Sequence, residues 1–92
     1  MVSVTFDPAK RRLNLAKHGI DLAACGAVFD WPMVTLVDSR EYAEERLRSL
    51  GLLRGSVVVL VWTDRETGAH VISCRRADRN EQEDYFEIYP AL

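Results

Sequence analysis

Residues 56–76 read SVVVLVWTDRETGAHVISCRR, and the reading of this stretch decides the fold. Two runs rich in β-branched residues flank Asp64-Arg65-Glu66-Thr67-Gly68, which is the pattern of a β-hairpin with a short loop. The first arm, residues 57–62, is almost continuously apolar, as expected of a central strand covered on both faces. The second arm alternates less cleanly and ends on Arg75-Arg76. One arginine, Arg65, therefore sits at the hairpin loop and a pair sits at the far end of the returning strand. Cations mounted on a rigid sheet are the chemistry this stretch offers.

Upstream, Val2, Val4 and Phe6 alternate with Ser3 and Thr5, the period of a half-buried strand. Asp7-Pro8 is a strong helix start, with Asp as N-cap and Pro in the first turn. That helix is expected to run to His18 and to close at Gly19. Ala9, Leu13 and Ala16 mark its apolar side, with Leu15 at the flank. Asp21 caps a second, short helix over 22–28, where Leu22, Cys25 and either Val28 or Phe29 share a side. Asp30-Trp31-Pro32 breaks it. Residues 33–37 form a strand, 39–45 a polar connection, 46–50 another strand, and 51–55 a further connection leading into the hairpin. Downstream, Asp78 and Glu81 form a capping box. The last helix carries Ala77, Glu81, Tyr85 and Ile88 along one side, broadened by Phe86 and Tyr89, and Pro90 ends it. The predicted order is β-α-α-β-β-β-β-α. That is an α+β single domain over 1–92, with a meandering antiparallel sheet of about four strands plus a weakly placed first strand, and helices on one face.

Composition narrows the function. An apolar fraction of 48% supports a core, while no apolar run approaches the ~20 residues of a membrane span. The N-terminus has neither the basic nor the apolar region of a secretion signal, so a cytoplasmic protein is expected. Cys25 and Cys74 lack metal-ligand spacing and read as reduced, buried thiols. The formal charge of −2 argues against a general nucleic-acid binder. Its distribution is uneven: residues 78–92 carry −4 and the rest of the chain +2, which leaves room for a local cationic cleft.

No metal site, phosphate loop or nucleophile elbow is present in the sequence, and no cofactor is expected. The residue supply fits metal-free phosphodiester chemistry. Cleavage of RNA by its own 2′-hydroxyl needs that hydroxyl activated, the charge on the phosphorane oxygens stabilised, and a proton delivered to the leaving 5′-oxygen. Arginine presents a planar donor fork matched to phosphate oxygens. The candidates are Arg65, Arg75, Arg76, Arg46, Glu44, His18 and Tyr42, with Trp62 or Tyr85 as rings on which a base can stack. Each has a plainer alternative. Arg65 can be an ordinary turn residue. Arg75 or Arg76 can pair with Glu81 or Asp84 and only anchor the last helix, and on a regular strand one of the two must face away from the other. Glu44 and Arg46 can be a surface ion pair, His18 and Lys17 can complement a helix dipole, and Trp62 can be core.

The chain resembles the BrnT family of bacterial type II toxin–antitoxin toxins. The resemblance rests on Phe6-Asp7-Pro8-Ala9-Lys10, Asn14-Leu15-Ala16-Lys17-His18-Gly19, Val28-Phe29-Asp30 with Pro32, Asp38-Ser39-Arg40, Tyr42-Ala43-Glu44-Glu45-Arg46, Gly51, Thr63-Asp64-Arg65, and Ile72-Ser73-Cys74-Arg75-Arg76-Ala77 followed by Glu81 and Tyr85. It covers nearly the whole chain. It implies a RelE-like fold and a metal-independent endoribonuclease that slows translation and is neutralised by a BrnA-like antitoxin. It further implies DNA contact only through that antitoxin, and a toxin dimer within a larger complex. Arg65 and Arg75 match the family's functional arginines, and Lys17, His18, Glu44 and Arg46 match motif positions. The resulting expectation is catalysis by Arg65, Arg75, Glu44 and His18, with Lys17, Arg46, Arg76 and Tyr42 on RNA. The two arginines at 65 and 75 are expected to converge on one phosphate. The alternative function is a catalytically silent relative that binds its partner.

Overall fold

The long hairpin is the centre of the molecule. A computed structural model describes residues 3–38, 40 and 43–92. Its elements are β1 (Val4–Thr5), α1 (Pro8–His18), a 3-10 helix (Leu22–Asp30), β2 (Val34–Val37), β3 (Leu47–Leu53), β4 (Ser56–Arg65), β5 (Gly68–Arg76) and α2 (Arg79–Ile88). The strands form one sheet in the order β1-β5-β4-β3-β2. β4 lies at its middle, and its apolar arm is buried from Val57 to Leu60. β2 to β5 pair antiparallel, whereas β1 pairs parallel to β5, with Thr5 beside His70. The sheet is therefore mixed, and the α+β arrangement is the one the resemblance implied.

Alternation along β4 divides the core in two. Val58 and Leu60 face Ile20, Leu22, Cys25, Val28, Val71 and Cys74, beneath the N-terminal segment. Val57 and Val59 face Leu52, Ala77 and Tyr85, beneath α2. Helices thus cover both faces, contrary to the one-face expectation. The physical reason is that β4 is apolar on both sides, so a single helical layer would leave half of it in water.

A bulge sets the phase of β5. Val61 pairs with Ser73 and Trp62 with Val71, so Ile72 is the extra residue. A bulge re-aims the side chains that follow it. Here it lets both Val71 and Cys74 enter the same core. It also places His70, Ser73 and Arg75 opposite Thr63, Val61 and Val59 on the α2 face. This is why the returning arm alternates imperfectly in sequence.

Three local readings are corrected. β3 does not stop at Leu50 but runs through Gly51 to Leu53. A Cβ on Gly51 would lie 2.6 Å from Val28 Cγ1, so the glycine marks close packing rather than a turn. The turn is Arg54-Gly55, with φ of 51° and 81°, a primed two-residue hairpin loop. The second helix is 3-10, and its buried residues Leu22, Cys25 and Val28 fall three apart, the period that eclipses side chains in that helix. The third correction concerns α1. Its one buried residue is Asn14, while Leu13 and Leu15 are 64% and 49% exposed. β1 reaches only as far as His70, which leaves the outer edge of β5 bare at Cys74. The Asn14 amide pairs that edge: Nδ2 donates to Cys74 O (2.9 Å) and Ile20 O (2.9 Å), and Oδ1 accepts from Cys74 N (3.1 Å). A polar side chain here takes the place of a strand.

The two thiols are free and buried. The Cys74 thiol is pushed up by its contact with Cys25 and by burial, so it is no nucleophile.

Candidate active site

Arg65 ends β4 on the α2 face, opposite Gly68. Its Nε and Nη2 donate to Glu44 Oε2 and Oε1 at 2.9 and 2.6 Å, a fork-to-fork pair. The loop that carries Glu44 is tied down next to it, because buried Thr63 donates to Glu45 O at 2.8 Å. The Arg65 hydrogen bond holds the Glu44 carboxyl below the usual carboxylate range. Glu44 is therefore held as the carboxylate. Both groups line an open cavity of about 220 Å³ with Arg46, Asp7, Lys10, His70 and Ile72. Asp7 is committed to α1, where Oδ1 accepts from Ala9 N at 2.7 Å.

A second groove continues from there. It holds about 600 Å³ and is lined by Lys10, Leu13, Lys17, His18, Ile72 and Ser73. Lys10 and the bulged Ile72 belong to both, so the two form one trench along the exposed side of α1. Lys17 and His18 lie at its far end, seven and eight residues down α1 from Lys10. At 1.5 Å per residue that is about 10–12 Å.

Arg75 does not join this cluster. It faces the same side of the sheet as Arg65, since it pairs with Val59 and Arg65 lies six residues further along β4. Six strand residues span about 20 Å. Arg75 turns the other way along the sheet, and Nη1 and Nη2 donate to Glu81 Oε1 and Oε2 at 2.8 and 3.0 Å. Glu81 also accepts from Asp78 N and so completes the capping box of α2. The expected convergence of Arg65 and Arg75 on one phosphate is therefore corrected: each has its own carboxylate, at opposite ends of the face. Arg76 is on the other side of the sheet, opposite Val58, in a cavity with Arg54 and Leu15. Tyr42 lies outside the described residues. Neither proposed stacking ring is open. Trp62 packs edge-on against Phe29 at 5.0 Å and donates to Ser49 Oγ, and Tyr85 is fully buried with its hydroxyl donating to Pro32 O.

The cavity also gathers two residues that were not among the expected site residues, Lys10 and His70. Lys10 stood within a helix and His70 within a strand, and neither position signals a site. The cue is the parallel pairing of β1 with β5, which no alternation in the sequence announces.

Among the described residues, no group of three His, Cys, Asp or Glu is placed to hold a metal ion, and no helix is long and apolar enough to cross a membrane. A comparison with curated proteins finds no match. The model of the family described as the ribonuclease toxin BrnT of type II toxin–antitoxin systems matches residues 6–81. This span holds α1, the whole sheet from β2 onward, and every residue of the Arg65–Glu44 cavity. Family identity implies an RNA target and a cognate antitoxin. The chain belongs to the BrnT family, the ribonuclease toxins of type II toxin–antitoxin systems.

Proposed function

We propose that this BrnT toxin cleaves RNA without a metal in the Arg65–Glu44 cavity, and that the Arg65–Glu44 pair is its resting state. The observation that carries the reading is a bidentate arginine–carboxylate pair facing an open cleft. A phosphodiester offers Arg65 the same two-oxygen geometry as the carboxylate it already holds. An incoming phosphate therefore competes for Arg65 and releases Glu44. Freed beside the substrate, Glu44 accepts the 2′-hydroxyl proton while Arg65, Arg46 and Lys10 stabilise the phosphorane oxygens. The products are a 2′,3′-cyclic phosphate and a 5′-hydroxyl end. The trench along α1 carries the neighbouring backbone past Lys17 and His18, and Arg75 serves as the anchor of α2. The toxin acts in the cytoplasm. A BrnA-like antitoxin inhibits by covering the trench, and toxin dimers sit within that complex, whose antitoxin alone contacts DNA.

The test is RNA cleavage by purified, antitoxin-free chain with and without EDTA. We expect equal rates in both, cyclic-phosphate ends, and about a 100-fold loss in Arg65→Ala and in Glu44→Gln. Loss of activity on chelation rejects the metal-free route, and full activity in both variants rejects the site. The silent-partner reading draws on the same mutual neutralisation of Arg65 and Glu44. It predicts a tight antitoxin complex and no cut RNA.

A further inference from the structure

We propose that His70 is the catalytic acid of this site, protonating the leaving 5′-oxygen from Nε2, with Thr5 as its positioning residue. The proposal rests on the ribonuclease reading above. Three observations carry it. First, His70 lies between Thr5 on β1 and Thr63 on β4, on the face that carries Arg65, and lines the same cavity as Glu44. Secondly, its Nδ1 is 2.8 Å from Thr5 Oγ1. A hydroxyl both donates and accepts, so it steadies the ring in either protonation state and leaves Nε2 to carry the proton that moves.

The third observation is chemical elimination around the cavity. The charged and titratable groups that face His70 are Asp7 and Lys10 at the start of α1, Glu44 and Arg46 on the loop before β3, and Arg65 at the end of β4. Glu44 is ionised against Arg65 and only accepts. Asp7 is engaged as the N-cap of α1. Arginine does not release its proton, and Lys10 serves the cavity as a cation. Among the described residues of the cavity, the His70 imidazole is the remaining group of a kind that serves as a general acid. His18, the histidine singled out from sequence, lies at the far end of the trench.

The step balances. The 2′-oxygen loses its proton to Glu44 and forms a bond to phosphorus. The bond from phosphorus to the 5′-oxygen breaks, and its electron pair takes the Nε2 proton of His70. Solvent then returns a proton to His70 and removes one from Glu44.

The experiment compares wild type, His70→Ala and Thr5→Val on two RNA oligonucleotides carrying the mapped cleavage site. One is unmodified and the other has sulfur in place of the bridging 5′-oxygen. A thiolate leaves without protonation. We expect His70→Ala to lose about 10²- to 10⁴-fold in kcat on the oxygen substrate. On the sulfur substrate it should come close to wild type. Added imidazole should restore part of the rate. Thr5→Val should show a smaller loss of the same substrate dependence, with its melting temperature reported alongside. An equal loss on both substrates, or none on the oxygen substrate, overturns the role of His70 and leaves the ribonuclease reading standing. Absence of cleavage of either oligonucleotide by folded wild type overturns both.

Discussion

Asn14 shows how much one side chain can carry. It is buried in a helix whose leucines are not, and it satisfies three backbone groups where the sheet runs out of strands. Replacing it with alanine leaves buried N–H and C=O groups unpaired, each costing about 1–3 kcal/mol. Asn14→Ala is therefore expected to destabilise the fold by about 3 kcal/mol or more in urea unfolding. Asn14→Asp should fare no better, since a carboxylate can accept from Cys74 N but cannot donate to the two carbonyls. Apolar periodicity pointed instead to Ala9, Leu13 and Ala16, because an amide that imitates a strand has no periodic signature. Gly51 is a second residue of this kind. Gly51→Ala drives a Cβ into Val28 and should cost about 1–3 kcal/mol by thermal or denaturant unfolding.

At the scale of elements, the hairpin and α2 were readable because their signals are local. The continuous apolar run of β4, the two-residue loop and the capping box each lie within a few residues of sequence. What joins them is Arg75. It couples the end of β5 to the first turn of α2 through Glu81, whose carboxyl is lowered to about 2, first by the Arg75 hydrogen bond and then by the Asp78 N–H. A depressed carboxyl contributes stability that is present above its ordinary value and lost as pH falls through the folded one. Wild type should therefore lose this contribution between about pH 4.5 and pH 2. A Glu81→Gln variant should show a flatter stability curve over that window, measured by chemical unfolding at each pH. Because the Arg75 side chain remains 41% exposed, solvent screens the pair and Arg75→Ala should cost only about 1 kcal/mol. Its effect on RNA cleavage should track the loss of α2 anchoring, with KM and kcat far less changed than in Arg65→Ala.

At the scale of the whole molecule, the two arginines at the ends of one sheet face hold separate carboxylates, and the proposed function gives them separate jobs. If so, the double variant Arg65→Ala/Arg75→Ala should show the activity loss of the first and the stability loss of the second, with no coupling between them. Groups more than 7–10 Å apart with no shared partner add independently. Convergent arginines sharing one phosphate would instead give strongly non-additive kinetics.

By itself, the sequence determined the α+β class, the central hairpin, the capped last helix, the buried thiols and the family. It also supplied most of the candidate residues, including Glu44, Arg46 and Arg65. These follow from composition, short-range periodicity and motifs, which are properties of neighbours along the chain. Only the tertiary structure decided which of those residues meet. The parallel addition of β1 to β5 put Thr5 beside His70. The bulge at Ile72 reset the faces of β5, and of the pairings the sequence left open for Arg75 and Arg76 the docking of α2 selected Arg75 with Glu81. The reason is physical: register across strands and the covering of a second sheet face are fixed by contacts between residues distant in sequence. No local pattern encodes that Arg65 finds Glu44, 21 residues away.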